Sequence, residues 1–201
     1  MIHWTWLPGL AVLAAVLVSP APGQNALVRT TNYYSVTGMT LAEIRESMER
    51  ARPANVRPLE AHTAWRVDWQ FNTQPTADGC RCSAFSTRTS ITITLPRWIA
   101  PTNAAQSVME TWGSYQLALG RHEDGHAQFA LAAAAELSKR ALEAGETADC
   151  ESMKVKLTAM AHEILEAYRK REVEYDERTR HGAAQGAVLR GRPRPLPRAQ
   201  P

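Results

Sequence analysis

The sequence predicts an α+β fold, a small antiparallel sheet packed against two long helices. Three observations lead to it. Thr63, Trp65, Val67, Trp69 and Phe71 alternate with mostly polar neighbours, the period of a strand with one buried face. Val108, Trp112, Tyr115, Leu119, His122, His126 and Phe129 recur in steps of four and three, one face of one helix. A second stripe of that period, Met153, Leu157, Met160, Ile164 and Tyr168, follows Gly145.

Taken in order, residues 7–18 (LPGLAVLAAVLV) are an apolar run followed by Ser19, Pro20, Ala21, Pro22 and Gly23. The run is short for a membrane span and suits the apolar centre of a signal peptide, although its N-terminal flank lacks Lys and Arg. Residues 1–23 are therefore expected to be a cleaved signal peptide, giving a secreted or periplasmic protein with no stable membrane insertion afterwards. TNYYSV (31–36) is β-branched and aromatic and reads as a strand. Thr40 and Glu43 form a capping box for a short helix that ends before Pro53. The alternating strand comes next, then a turn region over 72–79, then another strand or hairpin over 81–95. Pro101-Thr102-Asn103 opens the first long helix, which runs to about Ala144, where Gly145 stops it. Asp149 caps the second, whose charged run 169–178 reads as its solvated end. The domain is expected over 24–186, with a disordered, basic, Pro-rich tail over 187–201.

The 201 residues suit one domain with a real core. The net charge is +3, but Arg190, Arg192, Arg194 and Arg198 lie in the tail, and without them 19 basic groups face 20 acidic ones. The folded part is near neutral, so charge gives no argument for a nucleic-acid partner, and none is expected. In an oxidising compartment Cys150 is expected to pair with Cys80 or Cys82; a bond between those two would be strained.

His122-Glu123-Asp124-Gly125-His126 is an HExxH segment. Residues i and i+4 share a helix face, so both imidazoles can reach one Zn²⁺, with Glu123 beside them as general base. The apolar stripe also places both histidines inward, where two buried imidazoles are costly unless something satisfies them. A catalytic zinc needs a third protein ligand and an open position. The extended HExxHxxGxxH form is excluded, since Phe129 and Ala132 stand where Gly and His are required. Glu143, Glu146, His162, Glu163, Glu166, Asp176 and His181 remain open as third ligand. If the two helices form a plain hairpin about residue 147, equal rises put residues 167–171 opposite the histidines, which brings Glu163 and Glu166 closer than His181.

TNYYSVTG (31–38), TAWRVDWQF (63–71), LPRW (95–98), WGSYQLALGRHEDGH (112–126) and YDERTRHGAAQG (175–186) together resemble the bacterial family known as domain of unknown function 922. Its members are regarded as secreted, zincin-like Zn-dependent proteases on the strength of the HExxH segment. The resemblance implies His181 as third ligand; the equal-rise count keeps Glu163 in reserve. The resemblance also implies Asp176 as a ligand or as the group orienting an imidazole, and Tyr175 as a hydrogen-bond donor to the developing oxyanion.

The reading is an exported zinc metallopeptidase, a monomer acting on polypeptide substrates. Zn²⁺ on His122, His126 and His181 would polarise the scissile carbonyl while Glu123 activates water. The alternative is a non-catalytic exported zinc-binding protein that uses the same ligands structurally, with a closed fourth position.

Overall fold

The computed structural model describes residues 25–190. The expected signal peptide and most of the expected tail lie outside the described residues. Strand β1 (Ala26–Val36) is followed by helix α1 (Leu41–Ala51), strand β2 (His62–Pro75) and strand β3 (Cys80–Trp98). Helix α2 (Gln106–Leu142), the two-residue strand β4 (Glu146–Thr147) and helix α3 (Cys150–Thr179) complete the order, before a 3₁₀ turn at Ala183–Gln185.

The sheet is mixed rather than antiparallel. Its order is β1-β3-β2, with β4 added to β3. β2 and β3 pair antiparallel across a tight turn, and β1 pairs parallel to β3 from Ala26–Arg88 to Val36–Trp98. The reason lies in the connections. α1 carries the chain from β1 past the central position to the far edge, so the β2–β3 hairpin brings β3 back between them, running the same way as β1. Residues 81–95 are thus one long central strand, not a hairpin, and β2 continues past a bulge at Asn72/Thr73 before the turn closes.

The local signals act as their chemistry requires. The Thr40 side chain accepts from Glu43 N–H and the Glu43 carboxylate accepts from Thr40 N–H, the reciprocal capping box. Asp149 caps α3 by accepting from Ser152 N–H at 2.7 Å. α2 starts at Gln106, later than Pro101, because residues 101–104 first close a turn of their own.

Two cores flank the middle of α2. Trp112, Tyr115 and Leu119 pack with Ile44 and Met48 of α1 and with Val36, Ile91 and Ile93 of the sheet. Ala133, Ala134, Leu137 and Ala141 pack with Met153, Leu157, Ala161 and Ile164 of α3 and with Val67 and Phe85. Each fully buried side chain of Ile, Leu or Met size contributes about 1.5–3 kcal/mol. Small alanines on α2 let α3 approach closely. Ala187 and Leu189 are also buried, so the packed body runs past the boundary expected at 186.

Cys80 bonds Cys150, and Cys82 is free. β4 settles the choice that the sequence leaves open. Cys80 is paired with Thr147, three residues before Cys150, whereas Cys82 lies further along β3. Gly79 is needed beside it: its φ is +154°, and a Cβ there would stand 1.9 Å from the Thr147 carbonyl oxygen. The bond closes a separation of 70 residues. Cys150→Ser should therefore destabilise the domain by about 4 kcal/mol in the loop-closure estimate, read from urea unfolding with a slope fitted for each form, since the denatured chain without the cross-link exposes more surface.

Candidate metal centre

The site sits between the two cores. α2 buries His122, Glu123 and His126 to 3%, 4% and 6% exposure, as the helical stripe predicts for the two histidines. Asp124, between them, points out and pairs with Arg29 of β1.

The facing groups come from α3. Asp176 Oδ1 lies 3.1 Å from His122 Nε2 and 3.0 Å from His126 Nε2, and the two Nε2 atoms are 3.2 Å apart. His122, His126 and Asp176 are the set that could hold a metal ion among the described residues. Their spacing fits: ligands about 2.05 Å from a tetrahedral zinc are about 3.3 Å apart.

The outer nitrogen of each imidazole is committed elsewhere. His122 Nδ1 is 3.0 Å from Gln185 Oε1, and His126 Nδ1 is 2.9 Å from Glu172 Oε1. Acceptors at both Nδ1 atoms take the single proton of a neutral imidazole and leave both Nε2 lone pairs facing Asp176. Three acceptor atoms then converge with no proton among them, an arrangement that a cation satisfies. Trp65 Nε1 donates to both Glu172 oxygens, at 3.1 and 3.0 Å, and so braces the carboxylate behind His126.

The surroundings shift the two imidazoles in opposite directions. Burial, then the neighbouring His126, lowers the pKa of His122. Burial also pulls His126 down, but the Glu172 hydrogen bond and the nearby carboxylates outweigh it, and the net direction is up. Glu123 is pushed up by burial against the pull of its Thr63 hydrogen bond. Thr63 Oγ1 donates to Glu123 Oε2 at 2.7 Å and fixes the carboxylate next to the donor triangle.

The other residues named from the sequence separate clearly. Asp176, rather than His181, completes the triangle. His181 is 58% exposed at the cleft wall, with Nδ1 3.4 Å from Asp176 Oδ1. Glu163 is exposed on α3, more than two turns before Glu172, and is not part of the group. The equal-rise count misses by about a turn and a half because residues 143–149 are not a symmetric loop: β4 within them pairs with β3 and shifts where α3 begins. Tyr175 is at the site but not in the role expected. Its ring stacks on His122, with centroids 5.0 Å apart, and its hydroxyl donates to the His122 carbonyl oxygen at 3.3 Å. It does not line the cleft.

Sequence reasoning missed Glu172, Thr63 and Gln185. The signal for Glu172 was present: extending the α3 stripe past Tyr168 by one step of four gives Glu172, and by another gives Asp176. Reading 169–178 as a solvated run hid this. Thr63 showed only as a polar residue on an apolar strand face, and Gln185 gave no signal.

A cleft of about 650 Å³ lies over the donor triangle, walled by residues of α1, 58–63, α2, α3 and 180–190. α3 ends in a turn that brings the last of these walls back. Arg180 and His181 have φ of 52° and 50°, and Gly182 has φ of 81°, with a hypothetical Cβ 3.0 Å from His122 Cγ. Gly182 thus supplies both the left-handed turn and the room for His122.

A family model described as "Bacterial protein of unknown function (DUF922)" matches residues 31–182. No curated protein and no solved structure matches the chain.

Two outcomes follow from the geometry. Glu172→Ala should weaken Zn²⁺ binding about 10–100-fold in a chelator competition, with helix content unchanged. Gly125→Ala places a Cβ 2.2 Å from the Tyr175 hydroxyl oxygen and should cost about 1–3 kcal/mol in thermal or denaturant unfolding.

Proposed function

The chain belongs to the bacterial family of unknown function DUF922, and we propose that it is an exported zinc-dependent metallopeptidase. The observation that carries this reading is the convergence of His122 Nε2, His126 Nε2 and Asp176 Oδ1, with Glu123 fixed beside them under an open cleft. Two imidazoles with one carboxylate favour zinc over magnesium or calcium, which take all-oxygen sets. A zinc ion held there supplies Lewis acidity, polarising a peptide carbonyl and making water a nucleophile at neutral pH.

The chain's own groups do the rest. Glu123 Oε2 is held by Thr63, which leaves Oε1 to take the proton of the attacking water. Burial makes this carboxylate more basic than an exposed one, which suits it to accept that proton and pass it to the leaving amine. Glu172 and Gln185 keep the imidazoles oriented. Asp124 faces outward and takes no part. β2 is an edge strand whose first residues, His62 and Thr63, line the cleft with Ala61 before them, so an extended polypeptide can lie along it.

Two features support export. The apolar run at 7–18 precedes small residues, and the Cys80–Cys150 disulfide suits an oxidising compartment. No helix among the described residues is long and apolar enough to cross a membrane.

Elemental analysis of the protein purified after export should give one zinc per chain, lost in His122→Ala. Glu123→Gln should keep the zinc and lower hydrolysis of unfolded polypeptides by about 10²–10⁴-fold. Stoichiometric zinc with no turnover in the unaltered protein would overturn the peptidase reading in favour of a structural zinc protein. Absence of zinc from the folded, zinc-supplied protein would overturn both.

A further inference from the structure

We propose that the cleft beside the donor triangle selects peptides carrying a carboxylate, which Arg45, Arg180 and Arg190 bind. The choice of a peptide as ligand rests on the metallopeptidase reading; the choice of a carboxylate rests on the following observations.

All three arginines line the one cleft that holds His122, His126 and Asp176. They come from three separate parts of the chain: α1, the turn after α3, and the segment beyond the 3₁₀ turn. None of them meets a carboxylate or an aromatic ring among the described residues, and Arg45 makes only a bond from Nε to the Leu41 carbonyl of its own helix. Elsewhere Arg29, Arg50, Arg52, Arg66 and Arg140 face acids and Arg97, Arg169, Arg171 and Arg178 lie over aromatic rings, while Arg57, Arg81, Arg88 and Arg121 do neither among the described residues but do not line this cleft. Residues 1–24 and 191–201 contain no Asp or Glu that could pair with the three.

The cleft has carboxylates of its own, but each is engaged. Glu60 accepts from Tyr115, Glu123 from Thr63, Glu172 from Trp65, and Asp176 faces the histidines. Each of these carboxylates is thus held by a neighbour away from the three guanidinium groups, which meet none of them.

A lone exposed arginine is an ordinary surface residue. These three are set by their neighbours. Arg45 follows Ile44, which has 0% exposure; Arg180 follows Thr179 at 6%; Arg190 follows Leu189 at 3%. Arg180 and His181 also both take the left-handed backbone, which glycine or asparagine would adopt at lower cost. The chain keeps a guanidinium where the turn would favour glycine. Strain of this kind, held at a cleft, points to a function for the side chain it carries. A guanidinium binds a carboxylate through two parallel N–H···O bonds, more strongly than neutral pairs bind.

The test uses Zn²⁺-loaded Glu123→Gln full chain, which binds without turnover, and three alanine-glycine peptides with blocked N-termini. One is amidated and neutral, one is amidated with a single Glu, and one has a free C-terminal carboxylate. Calorimetry should show at least one carboxylate peptide binding about tenfold tighter than the neutral one, and less so at high salt. The peptide that gains identifies the source, side chain or chain terminus. The gain should fall to within about twofold in the R45Q/R180Q/R190Q variant. If that variant does not fold, Arg45→Gln alone, on an exposed helix face, should lose about threefold. Equal binding of all three peptides would overturn the proposal. So would a gain that survives the arginine substitutions, since the metal would then be the group that reads the carboxylate. Hydrolysis by the unaltered chain is scored separately. A carboxylate preference without turnover keeps the arginine site and removes the peptidase; turnover without preference does the reverse.

Discussion

At Gly125 the two long helices touch. The Tyr175 ring occupies the space that any side chain there would need, and it lies flat against His122. This contact fixes how close α3 comes to α2, and the site depends on that separation. Asp176 is the residue after Tyr175, and Glu172 is one turn before Asp176. Both carboxylates reach the imidazoles only because the helix axes close to the distance that a glycine allows. The glycine of the HEDGH segment is thus a packing requirement, whereas the Asp beside it is a surface residue.

The same contact explains how two buried histidines are tolerated. An imidazole nitrogen without a partner in an apolar interior is costly. Here each ring has an acceptor behind it at Nδ1, and the two Nε2 lone pairs converge with Asp176 on the one place where a cation would satisfy all three. Desolvation of Glu123 is offset in part by Thr63 on the neighbouring strand. The sheet therefore does more than cover the helix: its second strand supplies both the hydroxyl that holds the base and an indole that steadies the carboxylate behind His126.

Much of this was legible in the sequence, and what was not has physical causes. Periodicity placed Trp112, Tyr115, Leu119, His122 and His126 on the inward face of α2, and all five are buried. Asp149, Thr40 and Glu43 cap the helices that they announce. The parallel pairing of β1 with β3 was not legible, because strand order is decided by a crossover through α1 that leaves no local mark. The third group of the triangle was obscured for a related reason. Which residue of α3 faces His126 depends on where the helix starts, and that is set by β4 pairing with a distant strand. The charged run at 169–178 concealed Glu172 because alternation of charges looks the same whether the face meets water or a histidine.

α3 is joined to the sheet by a covalent bond at its first residue, Cys150, and meets the donor triangle at Asp176, about 39 Å further along at 1.5 Å per residue. If α3 slid along its axis by one residue without turning, the side chain arriving at each level would point about 100° away from the one it replaced. The disulfide therefore sets the phase of α3 as well as its position. The bond at the far end of the molecule and the pairing of β4 beside it anchor the start of α3, so the carboxylate presented to the histidines is tied to the register of a two-residue strand.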